Sequence, residues 1–523
     1  MRQVSRIIYS SQETRLSSRE GFMNRPFLQI AVVLTCGLLF CSGMRAQEND
    51  PQGSSGAAPA ATGLDTATQI SENPPLSGLD EPSFEPGYGA RSYLAPRVQV
   101  SGSVNANGLG TIGGPPSITE TTRGLGSLTL QKLWKIHPLD VDYTGGVAYY
   151  NGTQGKTYQL HSMGATQRFL WRTGQFALRD FFSYFPEGAF GLNSYGGGAA
   201  LGGGGGQGLG TGGLTGGGIG SGSGNGVFNN GQFGGTHSPR INNQSIVDIS
   251  QYLSPRSSVV LGGGYGRTEF INNAQGYINS QQTTAQAGYN YQIRRHDQIA
   301  LSYAFQEFHF PRSTSNPSGS FNVHLFHVMY GHRISGKLNF KIGGGPQWIH
   351  THQFAPVSAI VNGNLVLFFT PLNTTSLSGS GQATLTYQVS SHTGMILTYR
   401  RFMNPGSGFF AGANTDAVRY GVNHALTRRW NVLADVGYSH NSRLLSGKTQ
   451  TANNATHYRD WYAGGAIRRQ LGRQLGAFAS YQYDTLGFGS GFCATSCSPG
   501  NRGYDRHVGL IGLDWTPRPI RLE

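Results

Sequence analysis

Charge is scarce in this chain. Only 12% of its 523 residues are Asp, Glu, Lys or Arg, about half the fraction of an average soluble domain. A surface of the ordinary water-soluble kind is therefore not what it is built to make. Long hydrophobic runs are missing as well. Outside residues 27–41 no stretch approaches the roughly 18 apolar residues of a spanning helix, which argues against helical membrane spans. Cysteine is nearly absent too. Of four, Cys36 and Cys41 lie in that one apolar run, which leaves Cys493 and Cys497. Two thiolates are half of the usual four zinc ligands and no His lies beside them, so a thiolate metal centre is not expected.

The one apolar run sits where an export signal belongs. Arg25 precedes the stretch from Phe27 to Cys41, and Met44-Arg45-Ala46 offers a small residue before Gln47. A basic start, a short apolar core and a small residue at the end make a secretory signal, so residues 1–46 are expected to be removed after Ala46. Met23 is a better start than Met1, because it leaves a short basic stretch directly before the core. Phe40 before Cys41 and Thr35 before Cys36 fit poorly with lipid attachment. Acidic charge is gathered next: residues 47–96 carry seven acids and one Arg, whereas residues 97–523 carry a net +16. Rich in Pro, Gly, Ser and Ala, the 47–96 segment cannot bury the apolar surface that ordering requires and is expected to be a flexible periplasmic segment. The basic excess beyond it falls mainly in turns of an exported chain, so nucleic acid is not an expected partner.

What is plentiful is glycine, 79 residues, and aromatics, 11%. Their arrangement is clearest between Thr415 and Asn441. Trp430, Val432, Ala434, Val436 and Tyr438 fall on one face of a strand, and Asn431, Leu433, Asp435, Gly437 and Ser439 on the other. Val418, Tyr420 and Val422 repeat the pattern against Arg419, Gly421 and Asn423, with a basic turn between at Thr427-Arg428-Arg429. The same alternation recurs at 298–306, 285–291 and 259–266. Strands of about ten residues, apolar on one face and polar on the other, are the weak signature of a transmembrane β-barrel.

From Arg97 onward the chain parses into about 18 strands, within a range of 16–18. Their connections alternate in character. Short basic ones lie at 134–138, 171–174, 254–256, 294–297, 332–337, 391–393, 428–429 and 468–473. Longer ones rich in Gly, Asn, Ser and Pro lie at 106–123, 186–238, 310–319, 351–375, 403–413, 443–454 and 487–500. Periplasmic turns are short and external loops long in barrels of this class. Trp134, Trp171, Tyr252, Tyr291 and Trp430 lie beside the short turns; Tyr184, Phe270, Trp348, Tyr438 and Trp461 lie toward the long loops. These are the two aromatic girdles expected at the lipid interfaces. The fold class is thus all-β, an antiparallel up-and-down barrel over 97–516, with 517–523 as a C-terminal tail.

The closing segment RHVGLIGLDW, Arg506 to Trp515, places Gly509, Ile511, Leu513 and Trp515 on one face. With its near-terminal aromatic it resembles the strand that the barrel-assembly machinery reads, although eight more residues follow Trp515. Over 97–516 the chain is similar in architecture to porin-type barrels of Gram-negative outer membranes. That resemblance implies the cell outer membrane as location. It implies outer-membrane lipid, lipopolysaccharide and the assembly machinery as partners, small hydrophilic solutes as cargo, and no cofactor.

Several alternatives are weaker. Between Gly196 and Gly235, 22 of 40 residues are Gly, so GxGxxG patterns arise by composition without the strand and helix that phosphate binding needs. Loop 186–238 is expected to lie outside or to fold inward and narrow a pore. Cys493 and Cys497, close together in an oxidising compartment, are expected to form a disulfide. His161 and Ser162 are adjacent in a strand and point to opposite faces, as do His324 and His327, so neither pair is a base with its nucleophile or ligand. His350 and His352 share a face but are too few for a metal. No enzyme is expected. The alternation instead points Arg168, Arg400, Arg419, Asp140, Asp142, Asp248, Asp435 and Asp460 inward, as candidate pore-lining residues that either brace the wall or set the field on a solute. In this set Asp outnumbers Arg. Two outcomes are open: a passive pore for small hydrophilic solutes, or a structural or export-associated barrel, such as a polysaccharide-export partner, with a plugged lumen.

Overall fold

The alternation becomes a single closed sheet. The structure, a computed structural model, describes residues 92–106, 118–134, 136–151, 156–185, 240–271, 279–294, 296–311, 319–335, 337–361, 364–390, 392–404, 412–427, 429–444, 457–488 and 503–522. All of them belong to one compact unit within residues 61–523. The first strands are β1 (Tyr93–Ala106), β2 (Ile118–Lys132), β3 (Leu139–Asn151), β4 (Lys156–Trp171), β5 (Gly174–Phe185) and β6 (Arg240–Ser254). Then come β7 (Ser257–Phe270), β8 (Ser280–Arg294), β9 (Asp297–Phe310), β10 (Gly319–Ser335), β11 (Leu338–Val361) and β12 (Asn364–Ser390). The last are β13 (Thr393–Asn404), β14 (Ala413–Thr427), β15 (Trp430–Arg443), β16 (His457–Gln470), β17 (Leu475–Phe488), β18 (Gly503–Trp515) and β19 (Ile520–Arg521).

From β1 to β18 each strand pairs antiparallel with the one before it, and β1 pairs in turn with β18 from Val98↔Trp515 to Ala106↔His507. No edge is left along that seam, so backbone groups there find partners inside the sheet, as a bilayer requires. Followed once around, the registers return to β1 displaced by about 22 residues, which tilts the strands by roughly 40° for ordinary strand rise and spacing.

The two faces have opposite chemistry. On β1, Val98, Val100 and Val104 are exposed, while Arg97, Gln99, Ser101 and Ser103 between them are buried. Apolar side chains thus look out and polar ones look in, the inverse of a soluble barrel. The girdles follow on the outer face: Trp171, Tyr291, Trp348, Tyr438 and Trp461 are all exposed. Trp430 and Tyr438 lie eight residues apart on β15, about 26 Å of strand. Two expected members leave the girdle. Phe270 is buried, and Tyr252 shares the parity of buried Asp248, so both belong to the inner face.

Beyond shifts at strand ends, such as β2 starting at Ile118 inside the expected loop 106–123, three boundaries differ from expectation. The first strand starts at Tyr93, inside the segment expected to be flexible. Pro96 is accommodated within it: β18 pairs only from Val98 and β19 only with Tyr93 and Leu94, so the N–H that Pro lacks has no partner waiting. The sheet counts nineteen strands among the described residues rather than eighteen. The addition is β19, two residues of the expected tail.

The third difference is the stretch 351–375, expected as a loop, where β11 and β12 pair from Leu338↔Tyr387 up to Val361↔Asn364. Pro356 and Pro371 had argued for a loop. Both are tolerated because β10 leaves β11 at His352 and β13 leaves β12 at Gly381, so each Pro lies on a free edge. Asn362-Gly363, the dipeptide most favoured in two-residue hairpins, was the signal that could have revealed it.

Candidate functional site: the inner wall

Charged residues reach the interior by the same period-two rule that puts valines outside. Near the short-turn end of the seam, Asp514 on β18 is 1% exposed and meets two guanidinium groups. Its Oδ2 lies 2.6 Å from Arg468 Nη2 of β16 and 3.4 Å from Arg97 Nη2 of β1. Farther round, Asp248 of β6 is fully buried with Oδ1 3.1 Å from Arg179 Nη2 of β5. Arg168 of β4 and Asp248 are both register partners of Ala177, so they flank a residue too small to separate them. Charges taken from water persist when they meet an opposite charge this closely.

The expected lining residues divide into three groups. Arg168, Arg400 and Asp248 are buried on the inner face. Arg400 Nη2 reaches Gln382 Oε1 at 3.5 Å. Asp140 and Asp142 share that face on β3, and Asp142 Oδ1 accepts a 2.8 Å hydrogen bond from Thr129 Oγ1. Arg419, Asp435 and Asp460 hold register positions opposite Thr398, Gly464 and Ser439, but their side chains lie outside the described residues. Cys493, Cys497 and loop 186–238 lie outside them as well.

The sequence reading missed Arg97, Arg123, Arg179, Arg443 and Arg468, all on the inner face, against one missed acid, Asp514. With them, described inward Arg residues exceed inward Asp residues, which reverses the expected balance. Strict parity from Leu178 or Val98 would have found Arg179 and Arg97, and Arg123 fell inside the stretch 106–123 expected as a loop although β2 starts at Ile118.

The wall is uneven. Arg468, Arg97, Arg123, Arg168 and Arg179 follow one another across β16 to β5. From β8 to β11 the lining is mostly neutral, with Gln282, Thr284, Gln286, Ser302, Gln306 and Gln347 buried, apart from Lys341, which shares the inward parity of Gln347. At the long-loop end of that neutral side Phe308, Phe310, Phe321, Val323, Leu325 and Ile349 form a buried apolar cluster, joined by Met403 and Leu444. Gly412, with φ of 86°, passes close against the Phe321 ring where a side chain would not fit.

The histidines are engaged in ordinary cross-strand bonds. His161 and His324 pair through Nδ1 with the hydroxyls of Tyr143 and Tyr303 on the outer face, at 2.9 and 2.8 Å. His327 turns inward to Ser380. His350 and His352 bond to Thr375 and Asn373. Among the described residues no group of three or more His, Cys, Asp or Glu is placed to hold a metal.

No family model and no curated protein matches the chain. Among solved structures it is similar to the ferric-catecholate import receptor Fiu of E. coli in its open form, at 8% identity and a TM-score of 0.40, over 80% of this chain and 81% of that one. It is similar also to two Pseudomonas aeruginosa proteins. OccK2 (OpdF) matches at 7% identity and 0.38, over 81% and 98% of the two chains. OccK5 (OpdH) matches at 10% and 0.37, over 82% and 99%. What this chain does is read from its own wall. A closed antiparallel barrel with an apolar outer belt, aromatic girdles and a polar interior is an outer-membrane β-barrel.

Proposed function

We propose that this outer-membrane barrel is a diffusion channel for small hydrophilic solutes, with a weak preference for anions. The observation that carries it is the inner wall: largely polar outside the apolar cluster at the long-loop end, and with more Arg than Asp among the described inward side chains. Amide and hydroxyl groups facing a lumen give a hydrated solute replacement hydrogen bonds, and fixed guanidinium groups raise the local concentration of anions. A second reading, a structural or export-associated barrel with a closed lumen, is favoured by the apolar cluster around Phe308 and Phe321 at the long-loop mouth. Single-channel recording on purified protein in planar bilayers separates the two. Stepwise conductance supports the channel. A silent bilayer with protein demonstrably inserted supports the closed barrel.

A further inference from the structure

Most histidines of the outer face gather at one level. His161, His324, His350, His352 and His507 each use Nδ1 in a cross-strand bond, at 2.7–3.0 Å. Their partners are all oxygen atoms: the hydroxyls of Tyr143, Tyr303, Thr375 and Tyr481, and Oδ1 of Asn373. No Nε2 of the five is bonded among the described residues. Each ring is thus fixed through one nitrogen and keeps the other for a further partner.

The level is that of the aromatic girdle at the long-loop end and the rows just beyond it. His324 is the register partner of Trp348, and His350 and His352 lie two and four residues past that Trp. His161 faces Tyr184 in register, and His507 closes the seam opposite Ala106. Three more share the face and the level. His309 pairs with Ser320, His440 lies two residues beyond Tyr438, and the His440 and His457 rings are 5.4 Å apart. Girdle aromatics sit at the depth of the lipid headgroups, so these imidazoles form a belt at that depth.

Fixed charges at this level lean acidic. Glu120, Glu269, Glu307, Asp416 and Asp505 share the outer face there with Arg267, Arg401 and Arg459. Two of the three Arg residues are already paired, Arg267 with Glu269 at 2.7 Å and Arg401 with Asp416 at 3.8 Å. Five acids against three Arg leave the belt at −2 with neutral imidazoles and at +6 with all eight protonated. The groups facing the rings are mostly uncharged: Tyr143 and Tyr184 at His161, Tyr303 and His350 at His324, Tyr481 and Tyr483 at His507. Asp416 and Arg459 flank His440 in register. Glu307 and Asp505 stand two residues from His309 and His507, and Glu307 is also diagonal to His324.

We propose that this belt binds the phosphate headgroups of outer-leaflet lipid, and that mildly acidic surroundings switch the binding on. Imidazole changes its charge between about pH 5 and 8. Each Nδ1 bond survives protonation, because every partner is an oxygen that accepts from the ring. Nε2–H then becomes a charge-assisted donor at the depth where phosphate oxygens lie. The inference goes beyond the channel reading and stands or falls without it.

The test uses the full-length barrel in bilayers, with its tryptophans as reporters; Trp348 and Trp461 are exposed at this level. Brominated phosphatidylglycerol quenches tryptophan on contact and keeps its negative charge across the range, and brominated phosphatidylcholine is the control. Preference for the anionic lipid should rise at least roughly threefold from about pH 7.5 to about pH 5.5 at low salt. Arg residues at the short turns give a preference that does not change with pH, so the rise isolates the belt. Replacing His161, His324, His350, His352 and His507 together by Gln should remove most of it. The milder pair His350→Gln, His352→Gln, beside Trp348, should lower it in part while the barrel still migrates as a folded species on an unheated gel. A preference that stays flat with pH in the wild type overturns the belt, as does an undiminished rise in the folded pair variant. A barrel that conducts but shows that flat preference keeps the channel and loses the belt; one that shows the rise but never conducts does the reverse.

Discussion

At the scale of single residues, the seam between the first and last long strands rests on one carboxylate. Asp514 is buried and faces Arg97 and Arg468, so Asp514→Asn removes both ion pairs and leaves two guanidinium groups facing each other. Breaking one partner of a buried ion pair costs about 3–5 kcal/mol. The folded band on an unheated gel should therefore be lost at distinctly lower urea in D514N than in wild type; equal resistance would show that the seam holds without the carboxylate. Glycines give a paired test. A methyl at Gly512 would meet the Phe478 ring and the Val100 carbonyl, whereas at Gly124 it would meet nothing. Gly512→Ala should destabilise by about 1–3 kcal/mol through overpacking, and Gly124→Ala should be close to neutral, both read from urea unfolding midpoints.

At the scale of elements, outward and inward faces were legible from alternation, because Val, Tyr and Trp recur at every second position on β14 and β15. Strand ends were less so. Pro96, Pro356 and Pro371 lie inside strands, and only the staggered ends of the neighbouring strands show why each is harmless. Which Arg residues meet which Asp was invisible, since Asp514 and Arg97 are 417 positions apart and meet only through closure of the sheet. The β11–β12 hairpin carries an element-scale prediction. Beyond His352 on one side and Gly381 on the other it pairs only with itself. Deleting residues 354–371 should leave assembly and the unfolding midpoint of the barrel unchanged. A variant that no longer inserts would show that this hairpin takes part in closing the barrel.

At the scale of the whole molecule, two sets of cations compete to explain any anion preference. Arg256, Arg429, Arg473, Arg518 and Arg521 are exposed at the short-turn mouth, where salt screens them. The inward Arg residues are buried in the wall and screened far less. Net charge alone does not separate the two, because a +16 barrel with its cations at one mouth and one with them in the lumen have the same composition. Ionic strength does. The screening length falls from about 10 Å at 0.1 M to about 3 Å at 1 M, so a preference set by the mouth should vanish across that range. A preference set by Arg168, Arg400 and their neighbours should persist in part, since those charges lie within the wall a permeating ion must pass. The expected result is an anion-directed reversal potential in a potassium chloride gradient at low salt. It should be reduced but not abolished at high salt, and lowered further by the double variant Arg168→Gln, Arg400→Gln. Cation selectivity at either ionic strength would mean that the inward Asp residues govern permeation after all.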